Sequence, residues 1–340
     1  MTMKKTVSFS KDVTNVFFHI LTRCNLKCKH CYINPEQHGE NTLPLETIEE
    51  WLEVFIAKSA STNVIFLGGE PTLHPDLSLA VKKAKNLGYN SITIDSNGYL
   101  FHDILSNVTP DMVDYFSFSL DGATRKINDA IRGKGSYDNC IDVIRKAVQN
   151  GFATSLIYTV SQQNVHELDR VAPLLSDLGV DRFFIQVIGI RGNSADIGQD
   201  RLQVSRSEWL DLIPKVAEKI ARLGITVVYP KVFLSIEEPF ECAGLVAENY
   251  FIFPNGRVYR CPLCEDFPLH SEVFKDNRLF KTPKINENDF FHLNIPEGCV
   301  MNKIIQPGNL IYNSDGTPQY KIACCMLKEE ILSKDLNSAP

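Results

Sequence analysis

The chain predicts an α/β protein, a partial (β/α)6 barrel of the TIM type followed by a cysteine-rich C-terminal domain. Three observations carry this. From residue 16 to about residue 187, short apolar runs alternate with amphipathic stretches, the pattern of repeated βα units. Of ten cysteines, three lie within residues 24–31, six within 242–325, and only Cys140 stands alone. Beyond residue 229 helical periodicity fades, while prolines and cysteines become frequent.

Residues 1–15 read as a lead-in. Strands are expected at 17–22, 64–67, 91–95, 115–120, 154–160 and 182–187. Helices are expected between them at 45–58, 77–87, 137–149 and 165–178, with 101–114 a weaker case. Six parallel strands, each returning through a helix, leave a crevice at their C-terminal ends. Residues 191–206, with Gly192, Asn193, Ser194 and Gly198, read as a loop leaving the last barrel strand. A helix over 207–223 follows, N-capped by Ser207 and stopped by Gly224, and then a short strand at 226–229. The expected division is a core at 16–225, a cysteine-rich domain at 226–332, and a frayed tail at 333–340.

The length of 340 residues and 44% hydrophobic content suit one large or two moderate domains with a real core. A net charge of -6 gives no basic footprint, so nucleic acid is not an expected partner. The first residues lack the apolar core of a signal peptide, and no run approaches the roughly eighteen apolar residues of a membrane span. The expectation is a soluble cytoplasmic protein with no membrane partner. In a reducing compartment, ten cysteines serve as metal ligands or catalytic groups more readily than as disulfides.

The run Arg23-Cys24-Asn25-Leu26-Lys27-Cys28-Lys29-His30-Cys31-Tyr32 leaves the first strand. Three thiolates at x3 and x2 spacing occupy three corners of a cubane. A four-iron cluster that only carries electrons takes four, so a triad leaves one iron open to a small molecule. Zinc is the alternative, although ribbon and knuckle zinc sites want four ligands.

In these residues the chain resembles the radical S-adenosylmethionine (SAM) enzymes, whose mark is this Cys-x3-Cys-x2-Cys loop with an aromatic residue beside the last cysteine, here Tyr32. The resemblance implies a 4Fe-4S cluster on Cys24, Cys28 and Cys31, its open iron chelated by the amino and carboxylate groups of SAM. It further implies reductive cleavage to a 5'-deoxyadenosyl radical, fed by a reductant such as flavodoxin or ferredoxin. The partial barrel is the fold of that family.

Gly68-Gly69-Glu70-Pro71 follows the second strand, and its glycine pair lets backbone approach a ligand closely. By the resemblance this motif meets the methionine amino group; by itself it is a turn. Ser96-Asn97-Gly98 and Ser119-Leu120-Asp121-Gly122 end the third and fourth strands, where related enzymes bind the methionine carboxylate and the ribose. Ser119 and Asp121, one pleat apart, suit a ribose, while turn chemistry accounts for each Asx-Gly step equally well. Arg132, in an Arg-Gly-x-Gly-Ser run common in the branch with auxiliary clusters, is either a ligand for the SAM carboxylate or a substrate acid, or a surface cation on a loop.

In the C-terminal region, Asn255-Gly256 marks a β-hairpin that presents Cys261 at the end of its second strand. The spacing of Cys242, Gly256 and Cys261 resembles the twitch and SPASM subdomains, which carry auxiliary iron-sulfur clusters. The later Cys-x2-Cys-x5-Cys-x3-Cys run of a full SPASM domain is missing, so one auxiliary 4Fe-4S cluster of the shortened, twitch-like type is expected. Its ligands would be Cys242 and Cys261, completed by Cys299 and one of Cys324 and Cys325. Cys264 competes, because it forms a chelating pair with Cys261, and zinc is again the alternative. Cys140 reads as a small buried hydrophobe and His19 as a satisfied core histidine. His30 either hydrogen-bonds to the cluster or lies exposed on its loop. Residues 302–316 read as a lid over the barrel mouth.

Together these imply an enzyme that modifies a small molecule or a peptide by hydrogen abstraction, with no catalytic acid, base or radical residue assigned. A maturase of a ribosomally made peptide or protein cofactor is the alternative within this class. A zinc or electron-transfer iron-sulfur protein without SAM chemistry is the alternative outside it.

Overall fold

A computed structural model describes residues 4–5, 10–59, 61–196 and 202–332. The expected tail at 333–340, parts of the lead-in, and residues 197–201 of the expected loop lie outside the described residues. After β1 (Lys4–Lys5), strands β2 (Thr14–Leu21), β3 (Thr62–Gly68), β4 (Ser91–Ser96), β5 (Tyr115–Ser119), β6 (Thr154–Val160) and β7 (Arg182–Val187) pair in parallel in chain order. They form the partial barrel, a mixed α/β fold built on a large sheet.

The connections are α1 (Pro35–His38), α2 (Leu45–Ile56), α3 (Leu77–Leu87), α4 (Ile104–Asn107), α5 (Arg125–Arg132), α6 (Ser136–Gln149) and α7 (Leu168–Leu178), and α8 (Arg206–Ala221) follows β7. On α2, Ile48, Trp51, Leu52 and Phe55 recur at i, i+3, i+4 and i+7 and are all buried against the core. Strand alternation divides the two faces of the sheet. Val64, Phe66, Ile92 and Ile94 are fully buried in the core, while Leu67, Asp95, Ile157 and Thr159 line the barrel's cavity.

Three local expectations need correction. The stretch 101–114 holds only the single turn α4. The run containing Arg132 is not a loop: Thr124 accepts a hydrogen bond from the Ile127 amide and starts α5, which buries Asn128, Ile131 and Arg132. The cap of α8 is Ser205, not Ser207, because its side chain accepts from the Glu208 amide three residues on.

Past residue 225 the chain supplies both flanks of the barrel. β8 (Thr226–Pro230) continues the parallel sheet beside β7, so the sheet runs through the boundary expected at 226. Then come β9 (Phe233–Leu234), α9 (Ala243–Val246), β10 (Glu248–Ile252), β11 (Arg257–Tyr259), β12 (Glu272–Lys275), β13 (Arg278–Lys281), α10 (Glu287–Phe291), α11 (Val300–Ile305), β14 (Lys321–Ile322) and β15 (Lys328–Ile331). The β10–β11 hairpin turns at Gly256, whose φ of 84° favours glycine, and β10 lies parallel to β2. At the other flank β15 pairs antiparallel with β8 and β1 with β15. A second core cluster, with Phe253, Tyr259, Leu263, Met301, Ile305 and Met326, lies in the C-terminal part. No described helix is long and apolar enough to cross a membrane.

Candidate active site

A cavity of about 340 Å3 opens at the C-terminal ends of the barrel strands. Cys24, Cys28, Cys31 and Tyr32 line it, as do Gly68, Gly69, Ser96, Asn97, Ser119 and Arg132. A separate cleft of about 410 Å3, at the opposite strand ends near Tyr115, Arg182 and Gly224, holds none of these motifs.

The backbone, more than the side chains, positions the cysteine loop. The Gly69 amide donates to the Leu21 carbonyl and the Glu70 amide to the Arg23 carbonyl, each at 3.0 Å. A Cβ on Gly68 would stand 2.1 Å from the Leu21 carbonyl oxygen, and one on Gly69 2.2 Å from that of Arg23. The glycine pair is therefore required for the strand ends to touch, before any ligand is considered. From the far side, the Asn193 amide donates to the Cys31 carbonyl and the Asn193 side chain to the Cys28 carbonyl, both at 2.9 Å.

Glu70 is fully buried. Its carboxylate accepts from the Thr72 amide (3.1 Å), Thr72 hydroxyl (2.6 Å), Ser96 hydroxyl (2.9 Å) and Asn97 amide (2.7 Å). It and the buried Pro71 are absent from the cavity wall, so Glu70 ties the ends of β3 and β4 together from behind. Asn97, placed by that tie, directs its amide toward Cys24 Sγ at 3.5 Å and Asn25 Oδ1 at 2.8 Å.

Asp121, expected to face a ribose, is fully buried and absent from the cavity wall. Its carboxylate accepts from the Thr159 amide at 2.7 Å and lies 2.6 Å from Arg132 Nε and 3.0 Å from His30 Nε2. Despite burial, Arg132 and then His30 hold its pKa down to about 2. Arg132, far from a surface cation, is buried with Nη1 at 4.0 Å from Cys28 Sγ. His30 is thus bound to Asp121 and is not an exposed loop residue.

His19 is a satisfied buried histidine, 2.9 Å from the Ile252 carbonyl and 2.7 Å from the Tyr32 hydroxyl. Burial lowers its pKa to about 3, so the ring is neutral: Nδ1 donates to Ile252 and Nε2 accepts from Tyr32. Arg191 covers the Tyr32 ring at 4.8 Å and donates to the Pro262 carbonyl and to Glu265 at 3.1 Å. One network therefore joins the cysteine loop to the C-terminal Cys261–Cys264 turn. Sequence spacing carried no signal for Arg191 or Glu265, nor for the cavity-lining Asp95 and Lys328.

All ten cysteines are free thiols. Cys140 is buried in the core. Burial raises the pKa of Cys24, Cys28 and Cys31, that of Cys28 to about 12. The six C-terminal cysteines come together although they derive from four separate segments. Cys242 and Cys325 hydrogen-bond to Cys324, and Cys264 to Cys261, while Cys299 stands within electrostatic reach of Cys261 and Cys324. Those hydrogen bonds push the Cys324 thiol down and its two neighbours up. Of the six, Cys325 also lines the barrel cavity. The segment expected as a lid contributes Asn302 and Gln306 to the wall, and its Ile305 carbonyl accepts from the Ile190 amide at 3.3 Å.

The residues present fit a thiolate-bound cluster with an organic ligand beside it. Three cysteines share one loop facing a cavity, and two buried polar atoms of that loop, Asn25 Nδ2 and His30 Nδ1, have no hydrogen-bond partner. Among the described residues no three His, Cys, Asp or Glu side chains converge about a single-ion position.

Residues 18–175 match the family model of the radical SAM superfamily. The chain is 28% identical over 248 residues to the Fe-coproporphyrin III synthase of Methanosarcina barkeri (strain Fusaro / DSM 804), covering 72% of this chain and 61% of that protein. It is 31% identical over 203 residues to the pre-heme d1 synthase of Dinoroseobacter shibae (strain DSM 16493 / NCIMB 14021 / DFL 12), covering 58% of this chain and 49% of that protein. It thus spans between about half and three fifths of the length of these curated relatives. The fold is similar to that of Streptococcus suis SuiB bound to precursor peptide SuiA, with TM-score 0.60 and 16% identity over 74% of this chain and 60% of that one.

Proposed function

The chain carries a radical SAM domain, and from that premise we propose that the protein is a radical SAM enzyme that modifies a small molecule or peptide by hydrogen abstraction. The observation that carries this is the meeting of Cys24, Cys28 and Cys31 with Gly68, Gly69, Ser96, Asn97 and Ser119 around one cavity. When bound, a four-iron cluster and SAM supply the electron and the 5'-deoxyadenosyl radical. The three cysteines hold the cluster, and the glycine turn and the polar strand ends receive SAM. Glu70, Pro71 and Asp121 act behind that surface and Arg132 from its wall, fixing the turn and the cysteine loop. Tyr32, pinned between His19 and Arg191, closes the cavity beside the last cysteine.

Four of Cys242, Cys261, Cys264, Cys299, Cys324 and Cys325 provide the ligands of an auxiliary 4Fe-4S cluster, Cys242 and Cys261 first, then Cys299 and one of Cys324 and Cys325, with Cys264 the competitor; the gathering of the six supports it. A small-molecule substrate is favoured by the two relatives, which are named as synthases of Fe-coproporphyrin III and pre-heme d1. A peptide is the second reading, favoured by the likeness in fold to a peptide-bound structure. A flavodoxin or ferredoxin supplies the electron, in the cytoplasm, a setting that suits ten free thiols.

Iron, sulfide and 5'-deoxyadenosine assays on anaerobically reconstituted protein test this, with the triple variant Cys24→Ala, Cys28→Ala, Cys31→Ala beside the wild type. About eight irons should fall to about four, with 5'-deoxyadenosine formation lost. About four falling to none would overturn the auxiliary cluster, and wild-type protein unable to cleave SAM would overturn the enzyme.

A further inference from the structure

Lys328 and Asp95 face the cavity without an ion-pair partner, and we infer that they form a substrate subsite: Lys328 seats an acidic group and Asp95 accepts a hydrogen bond from a donor next to it. Every other cationic side chain in the wall is engaged. Arg132 and His30 pair with Asp121 at 2.6 and 3.0 Å, and Arg191 pairs with Glu265 at 3.1 Å. Lys328 has no carboxylate within 4.0 Å among the described residues; its Nζ lies 5.8 Å from the centre of the Phe184 ring. The other carboxylate of the wall, Glu265, is taken by Arg191, whereas Asp95 has a hydrogen bond only from Ser117.

These two residues lie on strands far apart in the sheet order, β4 and β15, yet each senses the other's charge; Lys328 also senses the Cys325 thiol, more strongly than it senses Asp95. An ammonium and a carboxylate turned into a cavity and left unpaired are costly unless a ligand meets them. Burial accordingly holds the Lys328 ammonium below the usual lysine range and pushes the Asp95 carboxyl up to about 7. Phe17, Ile157, Ile185, Phe251 and Met326 line the same cavity. The chemical class that fits is an apolar molecule carrying a carboxylate, with an N–H or O–H donor near that acid group.

That the occupant is a substrate rests on the proposed radical SAM activity; the acid-binding subsite does not. The test is calorimetric titration of the anaerobically reconstituted protein with 1-naphthylacetate and with its neutral methyl ester, methyl 1-naphthylacetate, which offers Asp95 no donor. The acid should bind at least about tenfold more tightly than the ester. Lys328→Met should erase that preference, Lys328→Arg should keep it, and Asp95→Asn should tighten the acid by removing a neighbouring negative charge. Equal binding of acid and ester by wild type, no binding of the acid, or a preference that survives Lys328→Met would each overturn the subsite. If Lys328→Met does not fold, the wild-type acid-to-ester ratio and its retention in Lys328→Arg decide. SAM cleavage, assayed on the same wild-type preparation, reports separately on the enzyme: its loss beside an intact acid preference overturns the activity and leaves the subsite standing.

Discussion

The barrel and the C-terminal region hold their sulfur in opposite ways. Cys24, Cys28 and Cys31 sit on one loop whose course is set by hydrogen bonds from the Gly69, Glu70 and Asn193 amides and the Asn193 side chain, and among the described residues they belong to none of the apolar clusters. The six C-terminal cysteines come from four segments, and Cys264, Cys299 and Cys324 are themselves buried members of an apolar cluster with Phe253 and Tyr259. A loop positioned by its neighbours' backbone leaves its side chains free for a ligand. Thiols built into a core support the fold as well as any ligand.

The largest effect that separates the two regions is loss of function without loss of fold. The triple variant of Cys24, Cys28 and Cys31 should abolish SAM cleavage while leaving the denaturation midpoint of metal-free protein near that of wild type. Cys264→Ser should instead lower the stability of metal-free protein by roughly 1 to 3 kcal/mol, as a hydroxyl replaces a buried sulfur. Equal destabilisation by the two variants would break the contrast.

Glu70→Ala should be costly for another reason. It removes the carboxylate that accepts four hydrogen bonds behind the cysteine loop and leaves buried neutral donors unpaired, which should cost roughly 1 to 3 kcal/mol by urea denaturation. A loss under about 1 kcal/mol would mean that the backbone contacts alone hold β3 to β4.

Acid and base should sharpen the contrast from opposite ends. Asp121, held down to about 2 by Arg132, favours the charged native form, so its stabilisation is full above pH about 4 and is lost as pH falls toward 2. Glu287 accepts from the amides of Arg260, Cys261 and Ser271, but burial pushes its carboxyl up to about 7. Its stabilisation is therefore full below about 4.5 and is lost as pH rises toward 7. The acid arm amounts to roughly 2 kcal/mol and the upper arm to roughly 3 to 4 kcal/mol. Denaturant midpoints against pH should lose the acid arm in Asp121→Asn and the upper arm in Glu287→Gln; parallel curves would sink both assignments.

The smallest change tests neither region. Ser205→Ala removes the cap of α8 and should cost about 1 kcal/mol, with SAM cleavage unaltered.

Much of the barrel was legible because helix and strand periods are local. The six strands and the α2, α3, α6 and α7 helices follow from apolar spacing, and the cysteine loop and Gly68–Gly69 turn fall at strand ends in the right order. α5 was missed because Asn128, Asp129 and Gly133 spell a turn locally; the burial of Arg132 against Asp121 is a contact across the chain. Similarly, the Ser119–Asp121 alternation said that both residues could face inward, but not that Arg132 and His30 would claim the carboxylate.

The amino-acid order by itself determined the elements, the thiol triad and the hairpin at Asn255-Gly256, since each depends on the dihedral and spacing preferences of a few adjacent residues. Only the tertiary structure decided where that hairpin docks, how the six C-terminal thiols lie against one another, and that Asp95 and Lys328 rather than Asp121 face the cavity. Those outcomes depend on contacts between residues hundreds of positions apart. The Phe17 and Phe251 rings, stacked at 4.5 Å, set β10 against β2, and closing the sheet brings β4 and β15 around one cavity. No local pattern records which distant surface will be available to pack against.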